Sequence, residues 1–148
     1  MFRGVLIVAG VLAASGPALA DIERIEAEGD VMTVMNRLET AVATAGATVF
    51  AKVDHGAGAE SVDMPIGDSQ LLIFGNPALG TPAMQADPLA GLYLPLKILV
   101  YADEDGQTWI AYEEVEETFD DLDVDDDAEY FEKMEGALER FAETAASE

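Results

Sequence analysis

Apolar positions along the chain change their spacing several times, and each spacing predicts a different element. Val31, Val34, Met35, Leu38 and Val42 recur at steps of three and four, with Asn36, Arg37, Glu39 and Thr40 on the opposite side. That is an amphipathic helix with one buried stripe. Asp30 stands where a cap would start it, and Gly46 where a terminator would end it. Residues 48–54 alternate instead: Val49, Ala51 and Val53 share one face, while Phe50, Lys52 and Asp54 share the other, the pattern of a strand. His55-Gly56-Ala57-Gly58-Ala59 has the glycines of a loop, and Gly56, Gly58 and Gly75 read as backbone freedom at turns. Leu71-Leu72-Ile73-Phe74 is a compact apolar strand stopped by Gly75-Asn76-Pro77. Thr81-Pro82 is set to cap and open a short helical turn, because proline is preorganised for the first helical position.

Residues 96–102 and 108–112 predict two more strands. The Asp-Gly step in Asp103-Glu104-Asp105-Gly106 between them signals a hairpin. Residues 113–127 are crowded with carboxylates. After them Tyr130, Phe131, Met134, Leu138, Phe141 and Ala145 fall on one helical stripe, so an acidic connector leads into a C-terminal helix. Asp125, Asp126 and Asp127 stand where the positive end of that helix's dipole favours negative charge. Residues 21–29 are short and charged. An edge strand would suit them, but Ile22 and Ile25 have helical spacing, and the type stays open. The aromatic and methionine positions Trp109, Tyr112, Tyr130, Phe131, Met134 and Phe141 read as core.

Hairpin-type connections and only two long helices favour an antiparallel sheet of four or five strands with two main helices packed on one face. The class is α+β. A doubly wound parallel sheet needs a crossover between successive strands, and the hairpin forbids that locally.

The first residues read as targeting. Arg3 precedes an apolar run over residues 5–14, then Ser15-Gly16-Pro17 leads to Ala18-Leu19-Ala20, which fits the small-x-small cleavage rule. The run is shorter than the roughly 20 apolar residues that a membrane span needs. The expectation is a secretory signal peptide over residues 1–20, cleaved after Ala20, with no stable membrane anchor and a periplasmic or secreted product. Residues 21–112 then form the α+β domain, and residues 113–148 the acidic connector and an amphipathic helix packed on it.

Composition narrows the chemistry. The 148 residues carry 30 acidic and 7 basic side chains, one histidine and no cysteine, for a formal charge of -23. Such a surface repels a polyphosphate backbone, so nucleic acid is excluded as a partner. Without cysteine and with one histidine, thiolate nucleophiles, iron–sulfur clusters and His-rich metal sites are excluded as well. No cofactor is implied. The acidity itself reads as a solvated, soluble face.

Three short segments, Val49-Phe50-Ala51-Lys52-Val53-Asp54-His55, Ile73-Phe74-Gly75-Asn76-Pro77 with Gly80-Thr81-Pro82 and Met84, and Leu94-Pro95-Leu96-Lys97-Ile98-Leu99-Val100, stand in an order and spacing that resemble the bacterial domain-of-unknown-function family 302 (DUF302). The resemblance runs over residues 30–112. It implies a small α+β domain with the TATA-box-binding-protein-like fold, an architecture that hosts many functions and therefore names none. Two features depart from the family: Tyr93 precedes Leu94 where an acid is common, and Glu113-Glu114-Val115-Glu116-Glu117 stands where a basic ending with histidine is common.

Two constellations could carry chemistry. Asp54, His55, Asn76 and Lys97 come from the family-like segments at strand ends, and neighbouring ends would bring a carboxylate, an imidazole, an amide and an ammonium into one pocket. Histidine titrates near neutrality and a carboxylate can orient it, the minimum for acid–base work. No nucleophile stands beside them, since Ser61 and Ser69 lack an elbow motif. The bland reading is that Asp54 caps a turn, Asn76-Pro77 is turn chemistry and Lys97 pairs with Asp54. The second constellation is Asp121, Asp123, Asp125 and Glu132, which have the oxygen spacing of a calcium loop. That loop needs glycine where Asp126 stands and an apolar residue where Ala128 stands, so a solvated connector fits better and no metal is assigned.

The functional expectation is a non-enzymatic module that binds a small ligand or an envelope protein, with Asp54, His55, Asn76 and Lys97 as its binding residues. The alternative is a small envelope enzyme using His55 with Asp54 and Lys97 for acid–base chemistry. If the last helix left the domain, its stripe would pair two copies into a homodimer.

Overall fold

The computed structural model describes residues 22–125 and 127–147. The signal peptide expected over residues 1–20, and with it the cleavage point, lies outside the described residues. The first element among the described residues is a strand, β1 (Ile22–Ala27), which settles the segment whose type the sequence left open. Helix α1 (Val31–Thr44) follows. Its cap is Asp30, whose carboxylate accepts the Thr33 N–H at 2.7 Å, and that bond holds Asp30 below the usual carboxylate range. The helix ends before Gly46, which takes the left-handed conformation at φ +77 that a side chain would resist.

Strand β2 (Thr48–Asp54) leads directly into a short helix, α2 (His55–Glu60), where the sequence predicted a loop. The reason is local: Asp54 accepts the Ala57 N–H at 2.8 Å and so caps a turn that the glycines alone would not form. Strand β3 (Ser69–Gly75) is followed by α3 (Pro77–Ala86) and a 3₁₀ turn (Pro88–Leu92). The sequence placed the start of this helix at Thr81-Pro82. It starts earlier because Asn76 caps it, accepting the Ala78 N–H at 2.9 Å, with Pro77 at the first helical position. Pro82 is thus internal, where its missing N–H costs the helix one hydrogen bond.

Strands β4 (Leu96–Ala102) and β5 (Thr108–Glu113) form the expected hairpin. The acidic connector is more than a solvated link, since it contains α4 (Val115–Phe119), with Val115 and Phe119 buried. The Phe119 ring lies 5.6 Å from Tyr93 and 5.2 Å from Phe131, so aromatic contacts dock the connector onto the domain. The last helix, α5 (Glu129–Ala146), buries its apolar stripe in the same core. That stripe is therefore occupied within the chain.

The five strands form one antiparallel sheet in the order β1-β5-β4-β3-β2. Because β1 and β2 occupy opposite edges, α1 must cross the sheet, and it packs beside α5 on one face. Leu72, Phe74, Ile98, Val100 and Ile110 from the strands meet Val34, Met35 and Leu38 of α1 and Met134 and Leu138 of α5 in the core. Phe141 of α5 meets Phe74 edge-on at 5.6 Å. The Glu28 N–H donates to Ala146 O at 2.8 Å, tying the end of α5 to the turn between β1 and α1.

One register detail changes which side chains share a face. A bulge between Val49 and Ala51 shifts the β2 ladder, so Val49 pairs with Phe74 while Ala51 pairs with Ile73. The alternation read from the sequence would have kept Val49 and Ala51 together. Phe50 is the extra residue of the bulge, and it is freed to reach past the sheet end.

Candidate functional site

The four polar residues singled out in the sequence do not meet. Asp54 pairs with Gln70 at the start of β3, and Asn76 follows the end of β3, six residues or roughly 20 Å away along the strand. Lys97 pairs with Ile73, on the sheet face opposite that of Gln70 and Leu72. Antiparallel geometry separates Asp54 from Asn76, because where one strand ends its neighbour begins and successive strand ends alternate between opposite ends of the sheet; Lys97, at the start of β4, shares Asn76's end but lies on the other sheet face from Asp54.

Three of these groups have a local partner and the fourth stands exposed. The two carboxylate oxygens of Asp54 accept from the Ala57 N–H at 2.8 Å and from Gln70 Nε2 at 3.2 Å. His55 is exposed at the start of α2. Lys97 pairs with Glu113 at 3.6 Å across β4 and β5, not with Asp54. Asn76 caps α3. The acids of the second constellation stay apart too: among the described residues no group of three or more His, Asp or Glu side chains is arranged to hold a metal.

A concavity does form where the family-like segments converge. Its volume is about 310 Å³, and its walls come from five places in the chain. The β2 bulge supplies Phe50, the end of β3 leads into Gly75 and Asn76, and α3 contributes Leu79, Gly80, Thr81 and Met84. Leu94, Pro95 and Leu96 enter from the loop before β4, and Met134 of α5 closes the inner end. No charged side chain among the described residues lines it. Met134 is fully buried while Phe50 is 56% exposed, which marks the inner end and the mouth.

Gly75 and Gly80 keep the space open. A Cβ on Gly75 would stand 3.3 Å from the Phe50 ring, and one on Gly80 would stand 3.3 Å from Leu94 Cδ1. Polar handles are few. Asn76 spends its oxygen on the Ala78 N–H, which leaves its amide nitrogen with hydrogens to donate, and Thr81 adds a hydroxyl. The start of α3 offers little to an anion: Pro77 has no N–H, Asn76 Oδ1 takes that of Ala78, and the carbonyl of Asn76 accepts from Leu79 and Gly80 at 2.9 and 3.0 Å. The arrangement suits a neutral apolar body with one hydrogen-bond acceptor.

Sequence reasoning missed this pocket as a site, although it used several of its walls. Gly75-Asn76-Pro77, Gly80-Thr81, Met84 and Leu94-Pro95-Leu96 are segments that carry the family resemblance, and the structure brings them to one cavity. Of the four polar candidates only Asn76 belongs to it.

Comparison with known proteins adds three findings. Residues 23–141 match the family described as "Domain of unknown function DUF302", reaching past residues 30–112 on both sides and taking in the acidic connector and most of α5. The chain is 36% identical over 86 residues to the fluoride-specific ion channel FluC 1 of Brucella suis biovar 1 (strain 1330), covering 58% of this chain and 34% of that protein. It is equally similar, at 36% over 86 residues, to FluC 1 of Brucella abortus biovar 1 (strain 9-941), covering 58% of this chain and 32% of that one. The chain thus spans about a third of the length of the curated relatives it matches. In three dimensions it resembles the crystal structure of an uncharacterized conserved DUF302 protein from Bacillus stearothermophilus, with a TM-score of 0.76 at 17% identity. That match covers 84% of this chain and 97% of the other.

Proposed function

The chain belongs to the DUF302 family, and from that premise we propose that it is an exported, non-enzymatic binding domain whose pocket at the head of α3 takes a neutral, mainly apolar small molecule. One observation carries the reading: an uncharged cavity of about 310 Å³ assembled from the segments that make the chain resemble its family. That volume lies at the small end of the roughly 300–1,000 Å³ occupied by small-molecule sites. Burial of an apolar ligand supplies the affinity, and Asn76 and Thr81 orient an acceptor such as a carbonyl or hydroxyl.

Export rests on the apolar run and the Ala18-Leu19-Ala20 step of the sequence. It is tested by the N-terminus of the protein recovered from its native cells, expected at Asp21. Retention of Met1 in the mature protein overturns it. The acid–base alternative draws no support from the geometry, because Asp54, His55 and Lys97 do not share a concavity and both carboxylate oxygens of Asp54 are engaged elsewhere.

The similarity to proteins named as fluoride channels supports an accessory role. None of the helices among the described residues is long and apolar enough to cross a membrane, and the shared stretch makes up about a third of those relatives.

The binding reading is tested with the neutral dye N-phenyl-1-naphthylamine. Its fluorescence should rise saturably to one dye per chain. Gly80→Leu, which fills the cavity from α3, should weaken binding at least tenfold while far-ultraviolet circular dichroism stays unchanged. Dye binding that Gly80→Leu leaves intact overturns the assignment of the pocket.

A further inference from the structure

The pocket at the head of α3 is elongated, and its shape narrows what it holds. Asn76, Gly80 and Met84 recur every four residues, so they form one stripe of α3 and one wall of the cavity. From Asn76 to Met84 that wall runs roughly 12 Å, at about 1.5 Å per residue. Each point along it has an apolar neighbour. Beside Asn76, a Cβ on Gly75 would stand 3.3 Å from the Phe50 ring and 3.6 Å from Pro95 Cβ. At the middle, a Cβ on Gly80 would stand 3.3 Å from Leu94 Cδ1, and at the far end the Met84 sulfur lies 3.5 Å from the Cβ position of Gly91. The space is therefore a channel, and the absence of a side chain on Gly80 keeps its midpoint passable.

Polarity changes along the channel. Asn76 offers amide hydrogens at one end, whereas Met84 gives the other end an unbranched thioether that adapts to what it touches. Past Met84, Leu89 and Leu92 of the 3₁₀ turn are 57% and 78% exposed, so apolar surface continues beyond the cavity. Charge selects as well. A carboxylate head would find no cation among the described lining residues, and the N–H groups that open α3 are already engaged. The formal charge of -23 repels it further. A neutral carbonyl accepts from the Asn76 amide without that penalty.

Resting on the binding reading above, we propose that the ligand is a straight alkyl chain headed by a neutral carbonyl, an ester or a ketone. Its carbonyl oxygen accepts from the Asn76 amide, and its chain lies across Gly80 toward Met84. A compact body of equal volume would leave one end of the channel unfilled.

Displacement of N-phenyl-1-naphthylamine by methyl hexanoate and methyl octanoate tests this. Each buried methylene contributes about fourfold in affinity, so the longer ester should bind roughly fifteenfold more tightly. The octanoate anion at neutral pH should bind at least tenfold more weakly than its methyl ester. Met84→Glu, at a position 39% exposed, should reduce the difference between the two esters to threefold or less. Asn76→Asp keeps an oxygen to cap α3 but removes the amide donor, and should weaken both esters at least fivefold with circular dichroism unchanged. Esters of equal affinity, or an anion that binds as well as its ester, overturn the proposal; if Gly80→Leu still abolishes dye binding, the pocket itself stands. Dye binding that Gly80→Leu leaves intact overturns pocket and ligand together. Where the dye does not bind, calorimetric titration with the two esters decides by the same ratios, and the absence of ester binding overturns the proposal. Should Asn76→Asp unfold the chain, the ratios between ester lengths and between ester and anion decide.

Discussion

The indole N–H of Trp109 donates to Asp103 Oδ2 at 2.8 Å, so the only tryptophan of the chain touches the carboxylate that organises the β4–β5 turn. Asp103 Oδ1 also accepts the N–H groups of Asp105 at 3.0 Å and Gln107 at 2.9 Å. The Trp109 bond above all, and then the turn amides, hold Asp103 below the usual carboxylate range. A lowered folded-state pKa means that the stabilisation is present above the ordinary Asp range and lost as pH falls through the folded value. Acid titration should therefore shift Trp109 emission with a midpoint below that of an ordinary aspartate. Asp103→Asn should lower the melting temperature at neutral pH and converge on the wild type in acid, and equal melting at neutral pH would refute this account.

Tyr112 governs the opposite end of the pH scale. Burial, and then the charges of Glu23, Glu135, Glu139 and Glu143, push its phenol up to about 12. An unfolded tyrosine ionises near about 10, so the raised folded value gives a stabilisation that is complete below that range and lost as pH rises toward the folded value. Tyr112→Phe should flatten the alkaline fall in melting temperature between those limits, and its ultraviolet titration should lack the last phenol to ionise. A wild-type chain whose tyrosines all ionise together would contradict the assignment.

Gly56 makes the tightest backbone approach among the described glycines. A Cβ there would stand 2.7 Å from Gly67 O and 3.3 Å from Ser69 N, both main-chain atoms that cannot rotate aside. Gly56→Ala should therefore destabilise by about 1–3 kcal/mol through overpacking, despite the better helix propensity of alanine. Denaturant melts would measure it. Gly58, with nothing within 4 Å of its Cβ position, is the control, and Gly58→Ala should be neutral or stabilising.

These contrasts show what the sequence could reveal. Val31, Val34, Met35, Leu38 and Val42 repeat over several turns and declare α1 without help, as the α5 stripe does, because a long periodic segment outweighs local ambiguity. Asp103-Glu104-Asp105-Gly106 declared the hairpin through its Asp-Gly step between two strand-like runs. Helix α2 was hidden because its six residues owe their form to the Asp54 cap and to the fit of Gly56 against Gly67, a contact between segments about ten residues apart. The site was misread for a topological reason. Asp54, Asn76 and Lys97 do sit at or near strand ends, but antiparallel neighbours put Asp54 at the end of the sheet opposite Asn76, and Lys97, at Asn76's end, lies on the other sheet face from Asp54. The pocket went unread because its walls are ordinary residues whose convergence depends on the Phe50 bulge and on Met134 arriving from α5.

Gly80 sets stability against binding. It lies inside α3, where glycine costs roughly 1 kcal/mol relative to alanine. A Cβ there would meet only Leu94 Cδ1, at 3.3 Å. That atom is the tip of a flexible side chain bordering the cavity of about 310 Å³, so it can swing into empty space and relieve the contact. Gly80→Ala should therefore raise stability by up to about 1 kcal/mol, unlike Gly56→Ala, whose neighbours are fixed main chain. The same swing narrows the pocket, so the affinity for N-phenyl-1-naphthylamine should fall by a few-fold, less than with Gly80→Leu. Pairing Gly80→Ala with Leu94→Ala, which returns the lost space, should restore dye binding while lowering stability. A glycine kept only for the backbone of α3 would instead leave dye binding unchanged in all three variants.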